Sequence, residues 1–361
     1  MTEREFFERL SSEEERVDLL GELKKEVLPL VLWGNGSLAY SIYSVLKQNG
    51  ITIACCMVDG LVEEKEGENY PIYTREHVLQ KYSEFAVIVG HSIYEKKSQI
   101  MEECKAVKRC YCLVNVCYRK YMRISYPFVR EHAEDYIRTA NLLQDEMSRE
   151  CLMGFLNSKL TEKVDYLLPC VKEKGDYFNN TLYEVTENES YVDVGAYDGD
   201  TVKEFLKATN GKYDHIYAIE PETAAFNSMK KYVDEKRLEN VTLYSCGTWN
   251  EETVLYFSED AQVSGIVGNS TVSICVTTLD NLLIDKEVSM VKINFLDGVY
   301  ETLIGATGLL QKQKPKLMIK VGFDEWTLIR IPELIRQINP EYKLYLRYAS
   351  AIPARLILFA V

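Results

Sequence analysis

The sequence predicts an α/β protein made of two Rossmann-like domains in tandem. Three observations carry that prediction. Short apolar runs alternate with amphipathic stretches in both halves, a glycine turn follows the first apolar run of each half, and the chain closes on two apolar runs separated by a short turn.

In the first half, "LPLVLWGNGSLAYSIYSVLKQNG" reads as a buried strand, a glycine turn and a helix. Leu38, Ile42, Val45 and Leu46 fall at i, i+4, i+7 and i+8, which is one helical face. A second strand, "ITIACCMVDG", follows, and after "YPIYTREHVLQKYS" the run "FAVIVGHS" makes a third. The helical pattern "YEKKSQIMEECKAV" and the strand "RCYCLVNV" complete a series that implies a parallel sheet over residues 1–121. Residues 122–176 carry helical periodicity with no strand candidate and are expected to form a helical connector. Over 177–361 the strands "YVDVG", "HIYAIE", "VTLYSC", "MVKINF" and "KLMIKV" alternate with helices, and "YKLYLRYA" and "ARLILFAV" end the chain as an antiparallel hairpin. A mostly parallel seven-stranded sheet with such a hairpin is the layout of class I S-adenosylmethionine (SAM)-dependent methyltransferases.

Composition narrows the partners. A chain of 361 residues with 47% hydrophobic content is long enough for two cored domains. The net charge of -13 disfavours nucleic acid, whose phosphates are bound through Lys and Arg. No apolar run reaches the roughly 18 residues of a membrane span, and the charged start "MTEREFFERLSSEEER" is unlike a signal peptide, so the expected location is the cytoplasm. The ten cysteines lack a CxxC pair with a nearby histidine. No metal site is expected, and Cys104, Cys110, Cys112 and Cys117 are expected to be buried strand thiols.

The two glycine turns differ in charge. Gly34, Gly36 and Ala39 fit a GxGxxG/A pattern in an uncharged turn, and Asp59, closing the second strand, stands where a ribose-binding acid would stand. NAD or a nucleotide sugar suits such a turn, and so does a tight turn with no ligand. In "ESYVDVGAYDGDT", by contrast, Asp193, Asp198 and Asp200 surround Gly195 and Gly199. Carboxylates at that density oppose a pyrophosphate and favour a cation. SAM carries an ammonium and a sulfonium, and glycine lets the backbone approach it closely. Glu220, ending the next strand in "YAIEPE", is placed to accept both ribose hydroxyls. Thr201 and Glu204 form a TxxE capping-box pattern at the following helix.

On "LLQDEMSREC", "DYFNN", "YVDVGAYDGDT", "YAIEPE", "TTLDNLL", "ETLIGA" and "PEYKLYLRY" the sequence resembles the two-domain form of the FkbM family of SAM-dependent methyltransferases, which mostly act on hydroxyl groups of sugars and natural products. The resemblance implies that Asp193, Gly195, Ala196, Asp198 and Gly199 line the methionine part of SAM and Glu220 its ribose, with Tyr197, Thr201 and Pro221 completing the cofactor set. It also implies that the first domain is an accessory Rossmann domain. Similar proteins read KxDIEGAE at the fourth strand; here "VKINFLDGVYETL" places Asn294 and Leu296 at the two acid positions. A Tyr-His and an Arg-His pair are also replaced, near Val321, Gly322 and Tyr348.

Methyl transfer to a hydroxyl needs alignment with the sulfonium and a route for the proton. Asp297, one place beyond the family's acid, and Asp324, with Glu325 after the fifth strand, are candidate bases alongside Asn294. Each of the three carboxylates also reads as a solvated loop residue. Trp249 and Trp326 could wall a sugar face or pack in the core, and His215 is expected at the surface. Three readings stay open: O-methylation of a small-molecule or glycan hydroxyl, a catalytically impaired SAM- or partner-binding module, and a dinucleotide enzyme run by the first domain. Homodimerisation is also open.

Overall fold

The computed structural model describes residues 1–60, 65–66, 70–91, 100–101, 103–117, 124–171, 175–258, 265–266, 272–295 and 297–361. Half of the expected helix "YEKKSQIMEECKAV", and Leu296, fall outside them. The chain divides into two compact units. One comprises 1–133, 150–172 and 348–355; the other comprises 134–149, 173–347 and 356–361.

In the first unit the sheet runs β3-β4-β2-β1-β5-β6, from β1 (Leu30–Trp33), β2 (Cys55–Val58), β3 (Lys65–Glu66), β4 (Pro71–Thr74), β5 (Phe85–Val89) and β6 (Val107–Tyr111). All pairs are parallel except β3 with β4. β1 and β5 are buried along their whole length, as continuous apolar runs in a two-sided parallel sheet should be. The helix Ser37–Gln48 lays Leu38, Ile42, Val45 and Leu46 against Leu32, Ala86 and Ile88 of that core, on the expected face. β4 is the strand the periodicity did not reveal, because it is only four residues long and runs directly into the helix Arg75–Lys81 that Thr74 caps.

The second unit holds a seven-stranded sheet in the order β16-β17-β15-β14-β7-β8-β9. The strands are β7 (Ser190–Val194), β8 (His215–Ile219), β9 (Val241–Tyr244), β14 (Met290–Ile293), β15 (Lys316–Lys320), β16 (Leu344–Tyr348) and β17 (Leu356–Ala360). β9 through β15 are parallel and β17 is antiparallel to β15, so the expected mixed sheet with a terminal hairpin is present. Between β9 and β14 the chain forms a second, four-stranded sheet of β10 (Gly247–Thr248), β11 (Thr253–Ser258), β12 (Gly265–Ile266) and β13 (Val272–Thr277), which sequence reading had not anticipated. Phe178 of "DYFNN" packs on Tyr191 and Phe205 at ring-centroid distances of 5.3 and 5.4 Å, which closes one face of β7.

The expected connector is helical, over Tyr126–Glu131, Ala133–Leu142, Glu146–Thr161 and the 3-10 segment Val164–Val171. It is shared between the units, because 134–149 packs with the second and 150–172 with the first. Within the second unit Arg347 of β16 donates to both carboxylate oxygens of Asp145, at 3.2 and 2.6 Å, and to Ser148 Oγ at 3.0 Å. Asp145 and Ser148 belong to "LLQDEMSREC", so that segment is a docking surface for the hairpin. Among the described residues no helix is long and apolar enough to cross a membrane.

Candidate functional site

β7 lies between β8 and β14, and the chain leaves it first toward β8 and β9, then returns on the other side to β14 and β15. Connections that depart to opposite sides open a crevice at the carboxyl ends of the strands, where open α/β sheets bind ligands. Gly195 opens the turn there with φ of 74°. Its N–H and that of Ala196 both donate to Ile219 O of β8, at 3.0 and 3.1 Å. A Cβ at Gly195 would lie 2.6 Å from Asn294 O at the end of β14, so only glycine fits between the two strand ends. Tyr197 and Gly199 are also left-handed, with φ of 49° and 81°. Tyr197 is 63% exposed and carries a conformation that costs a non-glycine residue about 1 kcal/mol.

The helix Asp200–Ala208 starts on Gly199 as its N-cap, so Thr201 is already inside the first turn. The expected Thr201–Glu204 capping box is therefore replaced. The Thr201 hydroxyl donates to Asp193 Oδ2 at 2.6 Å instead. Asp193 is fully buried, and its other oxygen accepts from Lys292 Nζ at 2.7 Å. The same ammonium donates to Gly195 O at 2.8 Å. Sequence reading treated Asp193 as one of a set of carboxylates free to attract a cation. The geometry corrects that, since Lys292, a charged residue inside the apolar strand β14, neutralises it.

Glu220 ends β8 and is buried. Its Oε2 accepts from Tyr197 N–H at 2.8 Å and its Oε1 from Glu222 N–H at 2.9 Å. Burial pushes its carboxyl above the ordinary value, opposed by those two amides. Pro221 follows at half burial, and Glu222 caps the helix Thr223–Lys236 through the N–H groups of Ala224 and Ala225. Asp198 faces Lys203 at 3.5 Å with one oxygen, while its Oδ1 is buried and accepts no hydrogen bond among the described residues. That orphan acceptor sits in the same turn as Gly195, Ala196 and Gly199.

On the β14 side, Asn294 N–H donates to Val194 O at 3.1 Å, which places Asn294 beside the turn. Asp297 is exposed, just before Gly298, the N-cap of the helix Val299–Ile304. Gly298 has φ of 98° and a Cβ there would strike Trp249 Cζ3 at 2.6 Å, so Trp249 is packed against this turn. Asp324 is committed elsewhere: one carboxylate oxygen accepts from Trp326 N–H and Thr327 N–H, both at 2.7 Å, and from Thr327 Oγ1 at 2.9 Å. That oxygen braces the entry to the helix Thr327–Ile338, whose N-cap is Trp326. Trp326 stacks on the Arg330 guanidinium at 4.3 Å. His215 is the first residue of β8, bonded to Thr242 Oγ1 at 2.8 Å, and half-buried where a surface position was expected.

In the first unit Gly34, with φ of 111°, follows β1 and approaches Gly90 after β5, the equivalent switch point. Gly36 is the N-cap of the helix Ser37–Gln48. Asp59 accepts from the Trp33 indole N–H at 2.7 Å and lies 3.9 Å from Arg75, so the expected ribose acid already holds partners of its own. Of the four clustered cysteines, Cys104 and Cys112 are buried, Cys110 and Cys117 only partly so, and only Cys110 lies within a strand.

The crystal structure of the methyltransferase FkbM from Methylobacillus flagellatus KT matches 96% of this chain and 94% of its own at a TM-score of 0.66 and 17% identity. The chain has the FkbM methyltransferase fold. Precorrin-6y C5,15-methyltransferase from Geobacter metallireducens GS-15 matches 49% of this chain and 81% of its own, at 13% identity and a TM-score of 0.33. A Streptococcus mutans protein solved in complex with SAH matches 48% of this chain and 88% of its own, at 12% identity and a TM-score of 0.32. No family model matches the sequence, and neither does any curated protein. The likeness to FkbM thus lies in the fold.

Proposed function

We propose that the protein is a SAM-dependent methyltransferase of the FkbM type, acting on a hydroxyl of a sugar, glycan or natural product. The observation that carries the proposal is the turn from Gly195 to Gly199 at the switch point, with an orphan Asp198 Oδ1 inside it and Glu220 on the neighbouring strand. These groups fit the methyl donor. Each Glu220 oxygen accepts one amide and keeps a lone pair, enough to take the two ribose hydroxyls. Asp198 Oδ1 suits the ammonium of the methionine part, and Gly195 and Ala196 give that part a close backbone wall. Tyr197, Thr201 and Pro221 shape the same turn, although Thr201 acts through Asp193.

When bound, the donor supplies an electrophilic methyl group on a sulfonium. The chain must align a hydroxyl with it and accept the proton. Asn294 stands next to the turn but its carboxamide has no basic site, and Asp324 is occupied. We assign that role to Asp297, which is exposed beside the same strand end. Positioning supplies a large part of such a rate even where the base is weak.

The second reading is a module that binds SAM and has lost turnover, favoured by Asn294 in place of an acid. Calorimetric titration with SAM tests both, and formation of S-adenosylhomocysteine with a panel of hydroxyl acceptors separates them. Binding with turnover supports the enzyme, binding without turnover on any acceptor supports the module, and no binding removes both. The turn at Gly34 and Gly36 is given no ligand in this proposal, because Asp59 is held by Trp33.

A further inference from the structure

Lys292 is 1% exposed, lies in the middle of the sheet, and makes two hydrogen bonds that leave the strand it belongs to. One goes to the carboxylate of Asp193 on β7, the other to the carbonyl of Gly195 two residues later. Between those two acceptors the chain leaves β7 and enters its left-handed turn. A buried ammonium costs several kcal/mol to desolvate. A sheet does not need one, and an apolar residue at this place would pack without that cost. Its partners instead show what it holds. Asp193 Oδ1 and Gly195 O point to the same nitrogen, Asp193 Oδ2 takes the hydroxyl of Thr201 in the following helix, and so three parts of the turn meet at one charge. Lys292 also acts through space on Glu220, favouring its charged form.

We propose that Lys292 is the positioning residue of the methyl-donor turn: its ammonium ties the Asp193 carboxylate and the Gly195 carbonyl into one geometry and withdraws Asp193 from direct contact with the donor. The assignment rests on the SAM reading for its consequence in binding, and on the turn alone for its consequence in rigidity. Donor selection then falls to Glu220 and Asp198, the two carboxylates that keep acceptor capacity.

The test compares the full-length wild type with Lys292→Met, Asp193→Asn and the double variant, by calorimetric titration with SAM between pH 6 and 9 and by amide hydrogen exchange of residues 195–199. In Lys292→Met the Asp193 carboxyl is buried without a counter-charge, so it is tolerated when protonated and disruptive when charged. SAM binding is expected to weaken at least tenfold, and to fall more steeply with rising pH than in the wild type. In the double variant neither charge remains, and affinity is expected to return to within about threefold to fivefold of the wild type with the wild-type pH slope. Exchange at 195–199 should rise at least tenfold in Lys292→Met. Unchanged affinity and exchange in Lys292→Met would overturn the proposal, as would equal losses in the single and double variants with no pH effect, which is the behaviour of a residue that only fills the core. If Lys292→Met does not fold, Asp193→Asn reads the same pair from the other side: its loss must be reversed by adding Lys292→Met, and a folded single with an unfolded double would overturn the assignment. A wild type that gives no heat with SAM refutes the donor reading by itself, and the exchange experiment then still decides the role of Lys292.

Discussion

The Glu220 carboxylate holds the backbone amide of Tyr197 at 2.8 Å, so the side chain proposed to grip the donor's ribose also clamps the exposed, left-handed residue at the crown of the turn. Ligand and loop share one carboxylate. Burial raises its ionisation above the ordinary carboxyl value, which makes the charged form costly until hydroxyl donors reach it. Lowering the pH from neutral should therefore weaken SAM binding at a higher pH than an ordinary carboxylate would, with proton release on binding in that range. Calorimetry in two buffers of different ionisation enthalpy measures the proton count. Glu220→Gln should bind at least tenfold more weakly and release no proton.

Gly195→Ala places a methyl 2.6 Å from Asn294 O and forces alanine to φ of 74°. The expected loss is about 1–3 kcal/mol of stability, with SAM binding weakened more than tenfold. Denaturant titration and calorimetry check the two effects separately.

Asn294→Asp restores a carboxylate beside the turn. If turnover is limited by the missing base, S-adenosylhomocysteine formation should rise about 100-fold, the low end of what a general base contributes. The gain should appear only above the ionisation of the new acid. No gain at any pH would show that the acceptor side was altered for another reason.

In the first unit, burial alone would raise the Glu26 carboxyl, but the amide of Leu28, the guanidinium of Arg109 and the hydroxyl of Tyr111 together hold it down to about 2. The folded form thus gives up this proton more readily than the unfolded chain, whose carboxyl titrates near the ordinary 4.5. The stability that Glu26 contributes is complete above about 4.5 and is lost as the pH falls toward 2. Glu26→Gln should lower the melting temperature at pH 7, and the gap to the wild type should close on acidification through that window.

Lys159, in the helix Glu146–Thr161, has the opposite linkage: burial pushes its ammonium down to about 7. The unfolded chain holds that proton more tightly, so this residue costs stability below about 7 and the cost fades as the pH rises toward 10.5. Lys159→Met should raise the melting temperature at pH 6 and have less effect at pH 9, read by calorimetry.

Much of the second sheet was legible because its strands are continuous apolar runs and its turn carries two glycines with positive φ, Gly195 and Gly199. The place of Glu220 just after the next strand was also legible. The errors have physical causes. The Thr201–Glu204 pattern suits a capping box, but Gly199 can adopt the left-handed N-cap and starts the helix two residues earlier than that pattern needs. The partners of Asp324, Trp326 and Thr327, act largely through backbone donors that sequence does not mark. Lys292 was overlooked inside "MVKINF". A lone charge at an interior strand position calls for a buried partner, and Asp193, its register neighbour on β7, is that partner.

The hold of Arg347 on Asp145 and Ser148 has a practical corollary for anyone wishing to cut the C-terminal half free. A fragment beginning at 177, where the sequence pattern alone suggests the border, discards both anchors and strands a guanidinium that is 3% exposed. Losing one side of a buried ion pair costs about 3–5 kcal/mol, a large share of the margin that keeps a domain folded. A soluble, protease-resistant fragment must begin at or before 134.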